Sequence, residues 1–334
     1  MIRTQNIDQI FYLTPDLFKQ FAIHFYEHQS INGAFYQQFI SMLGKANRPI
    51  NALEDIPFLP VRFFKNHQII TSEVEKINPQ VPAVLFESSG TTGQINSKHL
   101  VQDVRLYEKS FTQCFNLFYG DIQQYCVLAL LPSYLERSQS SLVYMVNHLM
   151  QQSKHPQNHF YLYEHQALAE QLKVLQSQGQ QTLLIGVTYA LLDFAASYPM
   201  ALQHTQIIET GGMKGRRNAM IREDVHTNLK EAFSLTAIQA EYGMTELLSQ
   251  TYSMGNGIFK CPPWMTVLVR DFNDPLQVST VGKGCLNIID LANIHSCCFI
   301  ATDDIGEVYA DGTFKVLGRL DHSDLRGCSL MYEG

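Results

Sequence analysis

The chain has 334 residues and a formal net charge of -7, and a surplus of acid argues against a protein that holds nucleic acid by its phosphates. Hydrophobic residues make up 46% and charged residues 16%, so a substantial core is expected, as one large α/β domain with sublobes or as two domains. The most apolar stretch, 183–196, is interrupted by Thr188, Tyr189 and Asp193 and is too short for a bilayer, so no membrane span is expected. The opening MIRTQNIDQIFYLTPDLF lacks the unbroken apolar segment of a signal peptide, which makes the cytoplasm the expected compartment.

Residues 1–80 read as an N-terminal helical lobe, because aromatic and apolar residues recur at three- and four-residue spacing from Phe11 to Phe39, ahead of a Pro-punctuated passage at 56–60. Across 81–263, short β-like runs at 83–86, 126–131, 182–187 and 206–209 alternate with helical segments, which implies a largely parallel sheet. Residues 264–334 turn strand-rich, with runs at 265–270, 285–290, 307–309 and 314–316 and a turn at Asp311-Gly312, which implies a smaller β-rich subdomain. The seven cysteines include no C-x-x-C pair and supply neither a disulfide framework nor a zinc set. Cys114, Cys126, Cys261 and Cys285 read as small core residues, and the adjacent Cys297 and Cys298 as part of an apolar strand.

Three segments carry chemistry. Glu87-Ser88-Ser89-Gly90-Thr91-Thr92-Gly93 follows the run at 83–86: two glycines let the backbone curl around an anion, and four hydroxyls and free N–H groups suit phosphate oxygens. It lacks the Lys-Ser or Lys-Thr of the G-x-x-x-x-G-K-[ST] loop, and a plain polar turn remains the alternative. In Glu241-Tyr242-Gly243-Met244-Thr245-Glu246, a Tyr face can stack on a purine and a carboxylate one turn on can hold Mg²⁺; the alternative is a helix start with a buried Tyr. Ala301-Thr302-Asp303-Asp304-Ile305-Gly306, with Gly318-Arg319-Leu320-Asp321-His322 shortly after, offers carboxylates for ribose hydroxyls and a permanent cation, or else ordinary turn residues.

In this order the segments resemble the successive core motifs of the adenylate-forming superfamily of acyl-CoA synthetases, adenylation domains and firefly luciferase. The length, the segment Glu209-Thr210-Gly211-Gly212-Met213-Lys214-Gly215-Arg216-Arg217 and the ending Arg326-Gly327-Cys328-Ser329-Leu330 resemble the acyl-protein synthetase (LuxE) family, from about residue 10 to the end. The resemblance implies the N-terminal-domain fold of adenylate-forming enzymes, with largely parallel sheets flanked by helices and a β-rich C-terminal subdomain. It places the ATP phosphates on Ser88, Ser89, Gly90, Thr91, Thr92 and Gly93, the adenine near Tyr242 within the Gly243 and Thr245 motif, and Mg²⁺ at Glu246. The ribose falls at Asp304, which takes the place of the last residue of the family's Thr-Gly-Asp, and Arg319 contacts ribose or phosphate. Most relatives continue into a C-terminal domain that brings a catalytic Lys; this chain runs 13 residues past Asp321, so that full domain is expected to be absent.

The implied chemistry has two steps. A carboxylate, from a fatty acid or another acid, attacks the α-phosphorus of ATP and expels pyrophosphate; a thiolate then takes the acyl group from AMP. Cys328 is the implied acceptor, with Arg326 two residues away to favour its thiolate and Gly327 to let it swing. His322 reads as a loop residue or a base, Lys98 as a phosphate contact displaced by extra spacing, and Lys214, Arg216 and Arg217 as an acyl-site entrance or a solvated face. An acyl-reductase subunit is a possible partner. The alternatives are a ligase that uses an external thiol and a nucleotide-binding subunit without turnover.

Overall fold

The computed structural model describes residues 4–46, 48–71, 83–88, 95–132, 139–211 and 220–320. The chain opens with helices α1 (Pro15–Asn32) and α2 (Ala34–Met42), followed by the short strand β1 (Leu59–Pro60). Strands β2 (Val84–Glu87) and β3 (Lys98–Val101) form an antiparallel hairpin of their own. The run at 83–86 therefore departs from the expectation that it joins the parallel sheet. The physical reason lies in its connection, because an antiparallel pair needs only a short loop whereas a parallel neighbour needs a crossover of a dozen residues or so.

Helix α3 (Val104–Tyr119) leads into an alternation that builds one layer: β4 (Cys126–Leu130), α4 (Ser141–Ser153), β5 (His159–Tyr161), α5 (His165–Ser177), β6 (Thr182–Val187), α6 (Thr188–Ser197), β7 (Thr205–Thr210), α7 (Arg222–Phe233), β8 (Gln239–Tyr242) and β9 (Thr251–Ser253). The sheet runs β5-β4-β6-β7-β8-β9, parallel except for β9. The sequences CVLAL and TLLIGV are buried at every position, as strands covered by helices on both faces must be. Among the described residues, no helix is long and apolar enough to cross a membrane.

The remaining strands, β10 (Met265–Arg270), β11 (Val278–Ser279), β12 (Gly282–Asp290), β13 (Phe299–Val308) and β14 (Phe314–Arg319), make the second sheet. It is antiparallel apart from β1, which pairs in parallel with β13 at Leu59↔Ile300. The parallel layer is thus confined to the middle of the chain. Of the expected C-terminal strands, 265–270 has the observed bounds, whereas 307–309 overlaps only the last two residues of the ten-residue β13. Cys297 and Cys298 are buried immediately before β13 rather than within it.

The N-terminal helices cover the second sheet. Tyr26, Tyr36 and Phe58 surround Phe299 with ring centroids 6.0–6.4 Å away. Gln29 of α1 is fully buried: its Nε2 donates to Ile294 O at 2.8 Å, and its Oε1 accepts from Cys298 N at 2.9 Å. Aromatic pairs of this kind and a satisfied buried amide fix one docking rather than many.

Asp290, at the end of β12, joins the two sheets. Its Oδ2 accepts from Leu248 N (2.8 Å) and Ser249 N (2.9 Å), and its Oδ1 from Ser249 Oγ (2.6 Å) and Ala292 N (3.1 Å). Burial pushes its carboxyl up to about 6 against these donors. Asp290→Ala would strand three buried N–H groups and is expected to cost about 3 kcal/mol or more in urea unfolding, with Asp290→Asn losing less. A loss below about 1 kcal/mol for the alanine would show that the joint does not depend on this carboxyl.

Candidate active site

The hairpin brings the hydroxyl-rich loop to a defined mouth. Ser88 N donates to Ser97 O at 3.0 Å, and Ser97 N donates to Ser88 Oγ at 2.9 Å, so the two limbs meet on either side of residues 89–94. Ser89, Gly90, Thr91, Thr92 and Gly93 lie outside the described residues. One pair further out, Lys98 Nζ lies 3.5 Å from Glu87 Oε1, so in this conformation its charge is spent on the hairpin. The next residue, His99, is buried, and its Nδ1 donates to Thr245 O at 2.8 Å. Burial lowers its imidazole to about 4 despite bonds to Thr245 and Asn293, so it is a neutral donor that ties the hairpin to the segment containing Glu246.

Tyr242 ends β8, so the segment is a strand end and not a helix start. A residue at the carboxyl end of a parallel strand stands where α/β sheets present their ligands. Its phenol donates to Asp304 Oδ2 at 2.8 Å, and its ring is met edge-on by Phe259 and Phe314, with centroids at 6.0 and 5.8 Å. Asp304 faces Arg319 across the β13–β14 pair, with Arg319 Nε 3.8 Å from Asp304 Oδ1. Strand alternation sends Asp303 the other way, toward Arg62 at 3.6 Å. Thus Asp304, and not Asp303, joins Tyr242 and Arg319. Arg319 is two-thirds exposed (66%) while Asp304 is 14% exposed, so the guanidinium retains free directions for an oxygen-rich ligand.

Glu246 is buried at 5% exposure, four residues beyond Tyr242. Burial raises its carboxyl, opposed by a hydrogen bond from Ser97 and by the charge of Arg319, and Asp304 adds to the rise. Asp304 is likewise raised by burial and held down by Arg319 and Tyr242. Two buried carboxylates that feel each other beside a hydroxyl form a hard oxygen set, and a divalent cation would relieve both. Among the described residues there is no cluster of three or more His, Cys, Asp or Glu that could hold a metal alone.

Several residues that shape the site carry no local sequence signal. Asn293 Nδ2 donates to Glu246 O at 2.7 Å, and with His99 on Thr245 O it holds two successive carbonyls from two different elements. On the opposite face of β8, Glu241 lines a narrow apolar pocket formed by Phe115 of α3, Leu142, Met145 and Leu149 of α4, Ile185 of β6 and Ile208 of β7. A Cβ at Gly243 would lie 2.5 Å from Glu241 Oε1, so a side chain there would make that carboxyl shift. Glu241 and Glu209 stand inside sequence segments quoted for other reasons, and their only signal was a carboxyl flanked by buried strand residues. Cys328, Asp321, His322, Lys214, Arg216 and Arg217 lie outside the described residues.

Hydrogen bonds and charges thus link Ser88 and Ser97, Tyr242, Glu246, Asp304 and Arg319 in one place. A family model described as acyl-protein synthetase, LuxE, matches residues 14–333. The long-chain-fatty-acid–luciferin-component ligase of Vibrio harveyi is 24% identical over 331 residues, covering 91% of this chain and 84% of that one. Among solved structures, ATP-bound MatB from Rhodopseudomonas palustris aligns with a TM-score of 0.53 at 15% identity, over 70% of this chain and 47% of that one. The luciferase-like enzyme of the mealworm Zophobas morio gives 0.50 at 16%, over 72% and 58%. O-succinylbenzoate CoA synthetase from Bacillus subtilis gives 0.52 at 16%, over 71% and 48%. The chain spans about half the length of these solved structures, and at such identities the likeness is one of fold. With a family match over nearly its whole length and a fold shared with adenylate-forming enzymes, the chain belongs to the acyl-protein synthetase family, LuxE.

Proposed function

We propose that this protein is an ATP-dependent acyl-protein synthetase: it joins a long-chain fatty acid to AMP and passes the acyl group to a cysteine thiol, its own Cys328, in the cytoplasm. The observation that carries this reading is the meeting of three distant segments: the hairpin at Ser88 and Ser97, the stretch from Tyr242 to Glu246, and the Asp304–Arg319 pair. Tyr242 offers its ring to adenine and holds Asp304 for the ribose hydroxyls. The loop hydroxyls and Arg319 receive phosphate oxygens. Mg²⁺ fits at Glu246, where it would supply charge neutralisation for pyrophosphate as it leaves. The acyl thioester is then the substrate an acyl-reductase subunit would consume.

The test is incubation with ATP, Mg²⁺ and a radiolabelled long-chain fatty acid, without CoA. Acid-dependent pyrophosphate release and hydroxylamine-labile label on the protein are expected. Pyrophosphate without label would point to an external thiol, and silence in both would leave a nucleotide-binding subunit. A finer expectation concerns Tyr242→Phe, which keeps the ring and deletes the bond to Asp304. It is expected to raise the KM for ATP by about 3- to 10-fold, the worth of one ordinary hydrogen bond, with kcat little changed.

A further inference from the structure

Halfway along their pairing, β12 and β13 fall out of step. Cys285 pairs with Ile305 and Asn287 with Ala301, so the single residue Leu286 stands opposite three residues of β13: Thr302, Asp303 and Asp304. A bulge of this kind leaves backbone groups without ladder partners and re-aims the side chains it carries. One of those side chains is the Asp304 carboxylate that meets Tyr242 and Arg319. The gap is filled from the neighbouring strand. Arg270, the last residue of β10, pairs with Cys285. At a strand end its long side chain could have run out to water, yet it is only 9% exposed. Its Nη1 donates to Leu286 O at 3.1 Å and to Asn287 Oδ1 at 2.8 Å, and its Nη2 donates to Thr302 O.

Thr302, fully buried, completes the lock. Its hydroxyl donates to Leu286 O at 2.9 Å and accepts from Asp304 N at 3.1 Å. One chain of hydrogen bonds therefore runs from the guanidinium through Thr302 to the backbone of Asp304. A buried cation is costly, and a strand end that needed only packing would take an apolar side chain. A planar fork that serves three acceptors in fixed directions is something neither Lys nor an apolar residue supplies. The charge matters as well: Asp303 and Asp304 favour the cation against its burial, and the cation is one of the groups that hold the Asp304 carboxyl down. We propose, on the reading that Asp304 takes the ribose hydroxyls, that Arg270 is a positioning residue for nucleotide selection: with Thr302 it holds the bulge that aims Asp304 at the sugar. Substituting it loosens that one carboxylate and leaves Tyr242, Glu246 and Arg319 in place. Discrimination at the ribose is then lost before turnover is.

The experiment measures kcat/KM for ATP, 2′-deoxyATP and 3′-deoxyATP by acid-dependent pyrophosphate release with hexadecanoic acid, in wild type, Arg270→Lys and Thr302→Val. Lys keeps the charge without the fork, and Val keeps the shape of Thr without the hydroxyl, which gives a second reading if the Lys variant does not fold. Each preference is a ratio taken within one protein, so the fraction of a variant that is folded cancels. Wild type is expected to prefer ATP over at least one deoxynucleotide by about tenfold or more, the worth of a hydrogen bond to a carboxylate. Each variant is expected to retain a preference of about threefold or less, with kcat for ATP little changed. In an Asp304→Asn background, Arg270→Lys is expected to change the ratio no further, because the one residue acts through the other. Acid-dependent release with the preference intact in both variants, or a further loss in the Asp304→Asn background, overturns the role of Arg270 and leaves the ligase assignment standing. A wild type indifferent to both hydroxyls overturns the ribose reading of Asp304 and this role with it. Release that never depends on acid overturns the assignment and the role together.

Discussion

Cys328→Ser is expected to carry no hydroxylamine-labile acyl label while still releasing pyrophosphate from ATP when the acid is present. The reason is nucleophile chemistry. A thiol of ordinary pKa, about 8.5, is a few per cent thiolate at neutral pH, whereas a serine hydroxyl is not measurably ionised. The two steps separate cleanly in this variant because Ser88, Ser97, Tyr242, Glu246, Asp304 and Arg319 are untouched. The loss of label should be at least about 100-fold, and label in wild type should increase with pH as the thiol ionises. Full labelling of the serine variant would place the acceptor on another side chain or on another molecule.

Glu246→Gln gives the second large effect. The amide retains shape and a hydrogen bond with Ser97 but removes the charge assigned to Mg²⁺, so acid-dependent pyrophosphate release is expected to fall by about 100- to 1,000-fold. Stability should move the other way. The Glu246 carboxyl is raised by burial, so ionising it opposes folding, and its favourable contribution is lost as the pH climbs from the unfolded value through the folded one. At pH 7.5 without Mg²⁺ or ATP, the variant should therefore be no less stable than wild type in urea, and at pH 4 the difference should vanish. A variant that is both inactive and destabilised would instead mark Glu246 as part of the scaffold. Loss of activity with stability retained is the signature of a residue kept for its ligand.

The site could be read from the sequence only in part. Tyr242, Glu246, Asp304 and Arg319 stand in short segments with distinctive composition, and their order along the chain is what makes them recognisable. Which of two adjacent aspartates faces the site was a matter of strand phase, and β13 settles it by sending Asp303 to Arg62 and Asp304 to Tyr242. His99, Asn293 and Asp290 were invisible because their work is to hold backbone groups of residues 42 to 146 positions away. A single His, Asn or Asp with no nearby partner in sequence has no pattern to detect. The N-terminal helices were legible as helices, but their clasp on Phe299 and on residues 294–298 by Tyr26, Tyr36 and Gln29 was not.

By itself the sequence determined the α/β class, the buried strands of the middle layer, the β-rich C-terminal part and the family. These follow from local composition: apolar runs demand burial on both faces, and glycine and hydroxyl clusters or a Tyr-to-Glu spacing survive in one dimension. The tertiary structure alone decided that the hairpin of β2 and β3 stands apart from the parallel sheet, that the second sheet is antiparallel, and that Glu241 faces an apolar pocket while Tyr242 beside it faces Asp304. Those outcomes depend on register and on which faces meet. Both are set by the summed burial of residues far apart in the chain, where a shift of one residue would turn every side chain to the opposite side.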